Sequence, residues 1–222
     1  MRRLLVLVEG QSEEAFVNRI LAPHLLGHGV AVTPTILETR HLPGRPRDKG
    51  GITSWAKVKR DLQHLLRDAD AWTTTLFDFY GLPADFPGVA ELAGLPLTEP
   101  RSRAASVEAA VAHDLNGPKR FVPFLAVHEF EAWVLAHPRA VADHFGNQAL
   151  QTSLEAVLEE FESVEHINHG PATHPSRRLE AMISQYKKVS DGPIILEKVG
   201  LAYLRTQCTH LDEWVTRLES IA

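Results

Sequence analysis

The sequence has a single cysteine, Cys208, so no disulfide can form within the chain, and a reducing, cytoplasmic setting is expected. Cys208 ends the stretch Leu204-Arg205-Thr206-Gln207-Cys208, which predicts a helical segment and a buried structural thiol rather than a nucleophile. No apolar run approaches the roughly 20 residues that a membrane-spanning helix needs. The amino-terminal run Leu4-Leu5-Val6-Leu7-Val8 stops at Glu9, and no small-residue cleavage site follows, which excludes a signal peptide and favours a buried strand. Net positive charge is also missing: 23 Lys and Arg against 28 Asp and Glu give -5. The chain as a whole therefore does not attract nucleic acid, and contact with a polyanion has to use local basic segments. Two such segments exist: Arg40, Arg45, Arg47, Lys49, Lys57, Lys59 and Arg60, and then Arg177, Arg178, Lys187 and Lys188. Each serves either as a polyanion contact or as solvated surface. There is no internal repeat and no low-complexity segment. The phosphate-loop spacing, the Gly-x-Ser-x-Gly elbow and the second histidine of His-Glu-x-x-His are all absent. Of the 12 histidines, His166, His169 and His174 cluster in sequence, but their spacing fits no zinc site, so a solvated or capping role is expected.

What is present is an alternation of strand and helix. Leu4 to Val8 is wholly apolar, as in a strand buried on both faces of a parallel sheet. Ser12 is expected to cap a helix that carries Glu13 and Glu14 in its first turn. Val30 to Leu37 reads as a second strand, with Pro34 favouring an edge. Residues 39–53 form a basic loop. A helix follows from Trp55 to about Asp68, then a strand from Trp72 to Phe77 closed by Asp78. The segment Gly81 to Gly88 is irregular and suited to a lid. A helix over about Ser102 to Asp114 leads to a fourth strand, Phe121 to Val127. This order predicts an α/β fold with a four-stranded parallel sheet and right-handed crossovers. From His128 the pattern turns helical, with a break at His166-Ile167-Asn168-His169-Gly170-Pro171 and two packed helices between Ile194 and Ile221. The expected organisation is a core over 1–137 and a helical extension over 138–222, joined as one structural unit.

The chemistry is concentrated in acids at the carboxyl ends of the predicted strands, where open α/β sheets place ligands. Glu9 ends the first strand, Asp78 ends the third, and Glu129 and Glu131 follow the fourth. Carboxylates converging on one edge suit Mg²⁺ or Mn²⁺, which take oxygen ligands and keep waters for substrate phosphates. Gly10 permits a tight turn, and the start of the next helix, with Gly10 and Ser12, offers N–H groups to a phosphate. Metal-assisted phosphoryl transfer is the chemistry for which several parts are present.

Val8-Glu9-Gly10-Gln11-Ser12-Glu13, Leu76-Phe77-Asp78-Phe79-Tyr80-Gly81-Leu82-Pro83 and His128-Glu129-Phe130-Glu131-Ala132-Trp133 together resemble the Toprim superfamily of topoisomerases, DnaG-type primases and OLD-family nucleases. Within it the chain looks most like a bacterial family of unknown function related to RloB-like proteins. Ile167-Asn168-His169-Gly170-Pro171, Pro175-Ser176-Arg177-Arg178-Leu179, Tyr186-Lys187-Lys188 and Cys208-Thr209-His210-Leu211 extend the likeness over nearly the whole chain. The resemblance implies a Toprim-like, Rossmann-like fold. It implies that Glu9 is a metal ligand or general acid/base, and that Asp78 is the first acid of an Asp-x-Asp motif. The second acid of that motif is replaced by Tyr80, a neutral phenol that cannot hold a second metal as a carboxylate does. Glu129 or Glu131 is left to supply the missing charge.

The expected activity is that of a Mg²⁺-dependent nuclease or phosphodiesterase on nucleic acid. Glu9, Asp78 and Glu131 form its catalytic set, Glu129 is a further metal ligand, Glu13 lends support, and Arg177, Arg178, Lys187 and Lys188 contact phosphates. Proteins of this kind stand beside ATPases in phage-defence gene sets, which implies an ATPase partner. The alternative is a non-catalytic Toprim-like module docking on nucleic acid or an ATPase. A nucleotide- or small-phosphate-binding enzyme would use the same acids.

Overall fold

Strand and helix alternate in the order that the hydrophobic pattern predicts, over the residues that the computed structural model describes: 1–37, 51–94, 99–167 and 173–221. Strand β1 (Arg2–Val8) lies between β2 (Val30–Ile36) and β3 (Ala71–Asp78), parallel to both. Side chains on β1 alternate. Leu4, Val6 and Val8 enter one hydrophobic cluster and Leu7 enters another on the opposite face, as a strand covered on both sides requires. Pro34 sits in the edge strand β2, where its missing N–H costs no ladder bond.

The fourth predicted strand forms as two short pieces, β4 (Phe121–Val122) and β5 (Leu125–Ala126), both parallel to β3. Pro123 interrupts it because it has no N–H to give. Side chains of β3 bridge the gap. Thr75 Oγ1 donates to Phe124 O at 2.8 Å and lies 2.8 Å from Phe124 N, and Thr74 Oγ1 donates to Val122 O.

The first crossover comprises α1 (Gln11–Phe16), a wider π turn over Val17–Leu21, and α2 (Ala22–Gly27). In the π turn Ala22 N–H reaches back to Val17 O, and Pro23 follows at once. A proline ring obstructs the carbonyl four residues before it, so a widened turn lets the helix continue. Gly10, not Ser12, is the N-cap. Ser12 lies inside α1 and is buried, so the expected serine cap does not form.

On the second face lie α3 (Trp55–Leu65) and α4 (Pro100–Asp114). The segment 81–88 is tied down rather than free as a lid. Asp85 accepts from the first N–H of α3, Trp55 N, at 3.0 Å, and buried Phe86 stacks edge-on to Trp55. At Gly88 (φ +81°) an added Cβ would come within 2.9 Å of Ala110 on α4.

Beyond β5 the chain is helical: α5 (Glu131–Leu135), α6 (Pro138–Phe145), α7 (Ala149–Leu158), α8 (Pro175–Met182), α9 (Lys188–Val199), α10 (Leu201–Gln207) and α11 (Thr209–Glu219). The two helices expected between Ile194 and Ile221 are the end of α9 followed by α10 and α11. Gly200 (φ +81°) breaks the chain after α9, and extended Cys208 breaks it before α11. The hydrophobic cluster that holds Leu4, Val6 and Phe16 also holds Trp133, Leu196, Leu204, Cys208 and Leu218, so these helices share one core with the sheet. Among the described residues no helix is long and apolar enough to cross a membrane.

Candidate metal centre

Parallel strands all end at the same side of the sheet, so residues that follow β1, β3 and β5 meet there. Glu9 follows β1, and its Oε2 accepts from Asp78 N at 3.2 Å. Asp78 closes β3, and its Oδ1 accepts from Phe130 N at 2.8 Å. His128 takes a left-handed conformation (φ 68°), at a cost on the order of 1 kcal/mol for a residue with a Cβ, and its carbonyl accepts from Tyr80 N at 2.7 Å. This turn after β5 brings Glu129 and Glu131 back toward the strand ends. Asp78, Glu129 and Glu131 are all buried, and each offers a carboxylate oxygen, the three lying within 4.8 Å of one another. Lys188, at the start of α9, puts its Nζ 3.0 Å from Glu131 Oε2 and 3.4 Å from Asp78 Oδ2. Both Glu131 oxygens are buried, and the Lys188 ammonium is the positive charge set against them.

Crowding of buried carboxyls shapes the electrostatics. Burial, and then the charges of Asp78 and Glu13, push the Glu9 carboxyl up to about 8. Glu9 keeps some solvent-exposed surface but is ringed by protein. Burial and Asp78 raise Glu13 to about 7. Burial raises Glu131 to about 8, with Lys188 opposing it and Asp78 reinforcing it. Asp78 is also held above the usual carboxylate range, chiefly by burial. Burial alone would lower the Lys188 ammonium, but Asp78, Glu131 and Glu13 outweigh it and raise it. Such a set of acids, desolvated and short of positive charge, is suited to a divalent cation. Glu131 meets the same requirement, because its fully buried carboxyl shares the single Lys188 ammonium with Asp78.

The expected phosphate contacts fall in different places. Gly10 N–H holds the Glu13 carboxylate, and an added Cβ at Gly10 would lie 3.3 Å from Glu13 Oε2, so the protein's own acid occupies the start of α1. Ser12 is buried beside it. Lys188 belongs to the acidic cluster itself. Arg177 is exposed and pairs with Glu180. Arg178 donates to Thr173 O at 2.6 Å and lies over the Phe161 ring. Lys187 is exposed at the N-cap of α9. Arg40, Arg45, Arg47, Lys49 and His169 lie outside the described residues. The described chain resumes at Gly51, where a Cβ would lie 3.9 Å from Glu9 Oε1.

His174, Ser176 and Tyr186 also reach the acids, a role that their sequence positions did not suggest. His174, expected to be solvated or capping, has its Nδ1 2.9 Å from Glu129 Oε2 and stacks on Tyr80 with centroids 4.8 Å apart. Glu129 also accepts from Ser176 N (2.9 Å) and Ser176 Oγ (3.2 Å). The Tyr186 phenol is buried near Glu131, and burial and that charge hold it above the usual range. His174-Pro175 does announce a helix start, since proline suits the first position of a helix, but nothing local says against what that helix packs.

Fold and site together define an α/β protein with a parallel sheet and a buried carboxylate cluster at the strand ends. Residues 8–219 match the family described as "Domain of unknown function (DUF4276)", and the chain belongs to that family. No curated protein matches it. Among solved structures, the C-terminal region of the Burkholderia pseudomallei OLD protein is similar to it at 14% identity and a TM-score of 0.49, over 100% of this chain and 98% of that one. The C-terminal region of the Xanthomonas campestris pv. campestris OLD protein is similar at 15% identity and a TM-score of 0.37, over 98% of each chain.

Proposed function

We propose that the protein is a divalent-metal-dependent phosphodiesterase of the Toprim kind that acts on nucleic acid. One observation carries the reading: the buried oxygens of Asp78, Glu129 and Glu131 lie within 4.8 Å of one another, more carboxylate charge than the one Lys188 ammonium beside them offsets. Asp78, Glu129 and Glu131 would hold Mg²⁺ or Mn²⁺, with Glu9 alongside. A bound ion of this type supplies charge stabilisation at a phosphoryl oxygen and a more acidic water. Glu9 and Glu13, raised to about 8 and about 7, sit near working pH, where a carboxyl can take and return a proton. Lys188 offers its ammonium to a phosphate at the same edge, while exposed Arg177 and Lys187 supply charge for the flanking backbone. The Toprim resemblance further points to an ATPase partner and a phage-defence setting.

A second reading, a non-catalytic module that docks on nucleic acid or an ATPase, is favoured by two observations. Lys188 already contacts Glu131 and Asp78, and Tyr80 replaces the second acid. Cleavage of single- and double-stranded DNA and RNA with Mg²⁺ or Mn²⁺ tests the first reading. Wild type is expected to cut at least one substrate, and Glu9→Gln and Asp78→Asn to lose about 100-fold or more of that rate. Absence of cleavage by wild type, or full activity in both variants, sinks the catalytic reading. Titration calorimetry with Mg²⁺ then decides whether an inactive protein still binds the ion.

A further inference from the structure

A second cluster of metal-ligating groups lies at the other end of the sheet, where α2 turns into β2. His24 and His28 are four residues apart at the end of α2, so both point from one face of the helix, with ring centroids 4.9 Å apart. Both direct Nε2 at one oxygen of α11: His24 Nε2 is 2.7 Å and His28 Nε2 is 3.8 Å from Glu219 Oε1. We propose that His24, His28 and Glu219 form a site for a first-row transition-metal ion, Zn²⁺ being the type case, separate from the acidic centre and independent of its chemistry.

The ligand set and its spacing argue for this. Bond lengths of 2.0–2.1 Å in a tetrahedral zinc site put neighbouring ligand atoms about 3.3 Å apart. The two distances to Glu219 Oε1 fall on either side of that value, and all three ligand atoms lie within 4.8 Å of one another, so rotation of the imidazoles brings them to that spacing. The His24–Glu219 hydrogen bond accounts for one imidazole, while His28 Nε2, beside it and 3.8 Å from Oε1, is too far to donate and is available to an ion. Glu219 is already oriented. Arg205 donates from Nη1 to Oε1 (2.5 Å) and from Nη2 to Oε2 (3.4 Å), and is itself held by Asp212 and Thr216, so Oε1 would meet the ion with the lone pair that now faces His24. Anchoring of this kind from outside the ligand shell is how metal-binding carboxylates are fixed. Asp212 offsets the guanidinium charge, so the carboxylate of Glu219 remains to face a cation. Part-exposed His24 and exposed His28 give an ion access from solvent and leave room for a water as fourth ligand. Two imidazoles with one carboxylate select zinc, nickel, cobalt or copper over magnesium, the reverse of the preference at the all-oxygen centre.

Such an ion would clip the first crossover helix to the last helix of the chain. The test is thermal unfolding of the full chain with Zn²⁺, Co²⁺ or Mg²⁺, together with visible absorption of the Co²⁺ form. Zn²⁺ at about a hundredfold excess over Kd is expected to raise Tm by about 5 °C or more. Co²⁺ is expected to show the intense visible band of a four-coordinate site, and Mg²⁺ neither effect at this cluster. His28→Ala, at an exposed position where folding is unaffected, should weaken zinc binding about tenfold or more, and Asp78→Asn should leave it intact. No zinc-dependent shift in wild type, an undiminished shift in His28→Ala, or a shift lost in Asp78→Asn would each overturn the proposal. The last would place the ion at the acidic centre instead.

Discussion

Glu131 has no exposed surface, lies in the first turn of α5, and shares its space with Asp78, Glu129 and the Lys188 ammonium. Its carboxyl is raised from 4.5 to about 8, as is that of Glu9, so between those limits the folded protein holds protons that the unfolded chain releases. Stability of the metal-free protein is therefore expected to fall as pH rises through that window, with the loss complete above about pH 8. Divalent cations act in the opposite sense, because they bind the ionised carboxylates. Unfolding temperatures at about pH 5 and about pH 8.5, with and without Mn²⁺, should show a larger gain from the ion at the higher pH. Glu131→Gln should flatten the pH slope and remove most of that gain. The four acids were legible in the sequence because each stands at a predicted strand end, and a parallel sheet gathers such ends. That Lys188 pairs with the acids was not legible, since it meets Asp78, 110 positions away in sequence, only once the chain has folded back. His174 was missed for the same reason, as its contact with Glu129 depends on where α8 packs.

Strand β3 shows how one element serves several neighbours. Thr73, Thr74 and Thr75 are buried where apolar residues would be usual, and two of their hydroxyls complete the ladder that Pro123 breaks. Thr74 Oγ1 also accepts from Trp214 Nε1 at 2.9 Å, tying the sheet to α11. Thr74→Val keeps the shape but strands the indole N–H, and should cost about 1–3 kcal/mol, read by urea unfolding. The positions of β1, β2 and β3 were legible as short apolar or β-branched runs and α3 from its regular apolar stripe, while α4 was placed by its lack of helix breakers between two strands. The split of the fourth strand and the π turn were not, since each arises from how a proline (Pro123, Pro23) is accommodated by its surroundings. The third helix near the carboxyl end was hidden because Gly200 and Cys208 interrupt a pattern that otherwise reads as continuous.

At the scale of the whole molecule, one hydrophobic cluster runs from Leu4 through Trp133 to Leu218. We propose that residues 1–137 and 138–222 unfold as one unit. Calorimetry should record a single transition, and a chain ended after His137 should fail to fold, because the face of β1 carrying Leu4, Val6 and Val8 would lose α9 to α11. Two separate transitions would divide the chain into independent parts. The two prolines in the sheet have a consequence for association. One edge strand, β2, carries Pro34, and the other edge is broken at Pro123 into β4 and β5. Neither edge offers the unbroken row of N–H and C=O groups that templates strand addition, so both are protected against edge-to-edge aggregation. Among the described residues, self-assembly or docking of another protein is therefore expected to favour helices and loops over β-augmentation at these two edges.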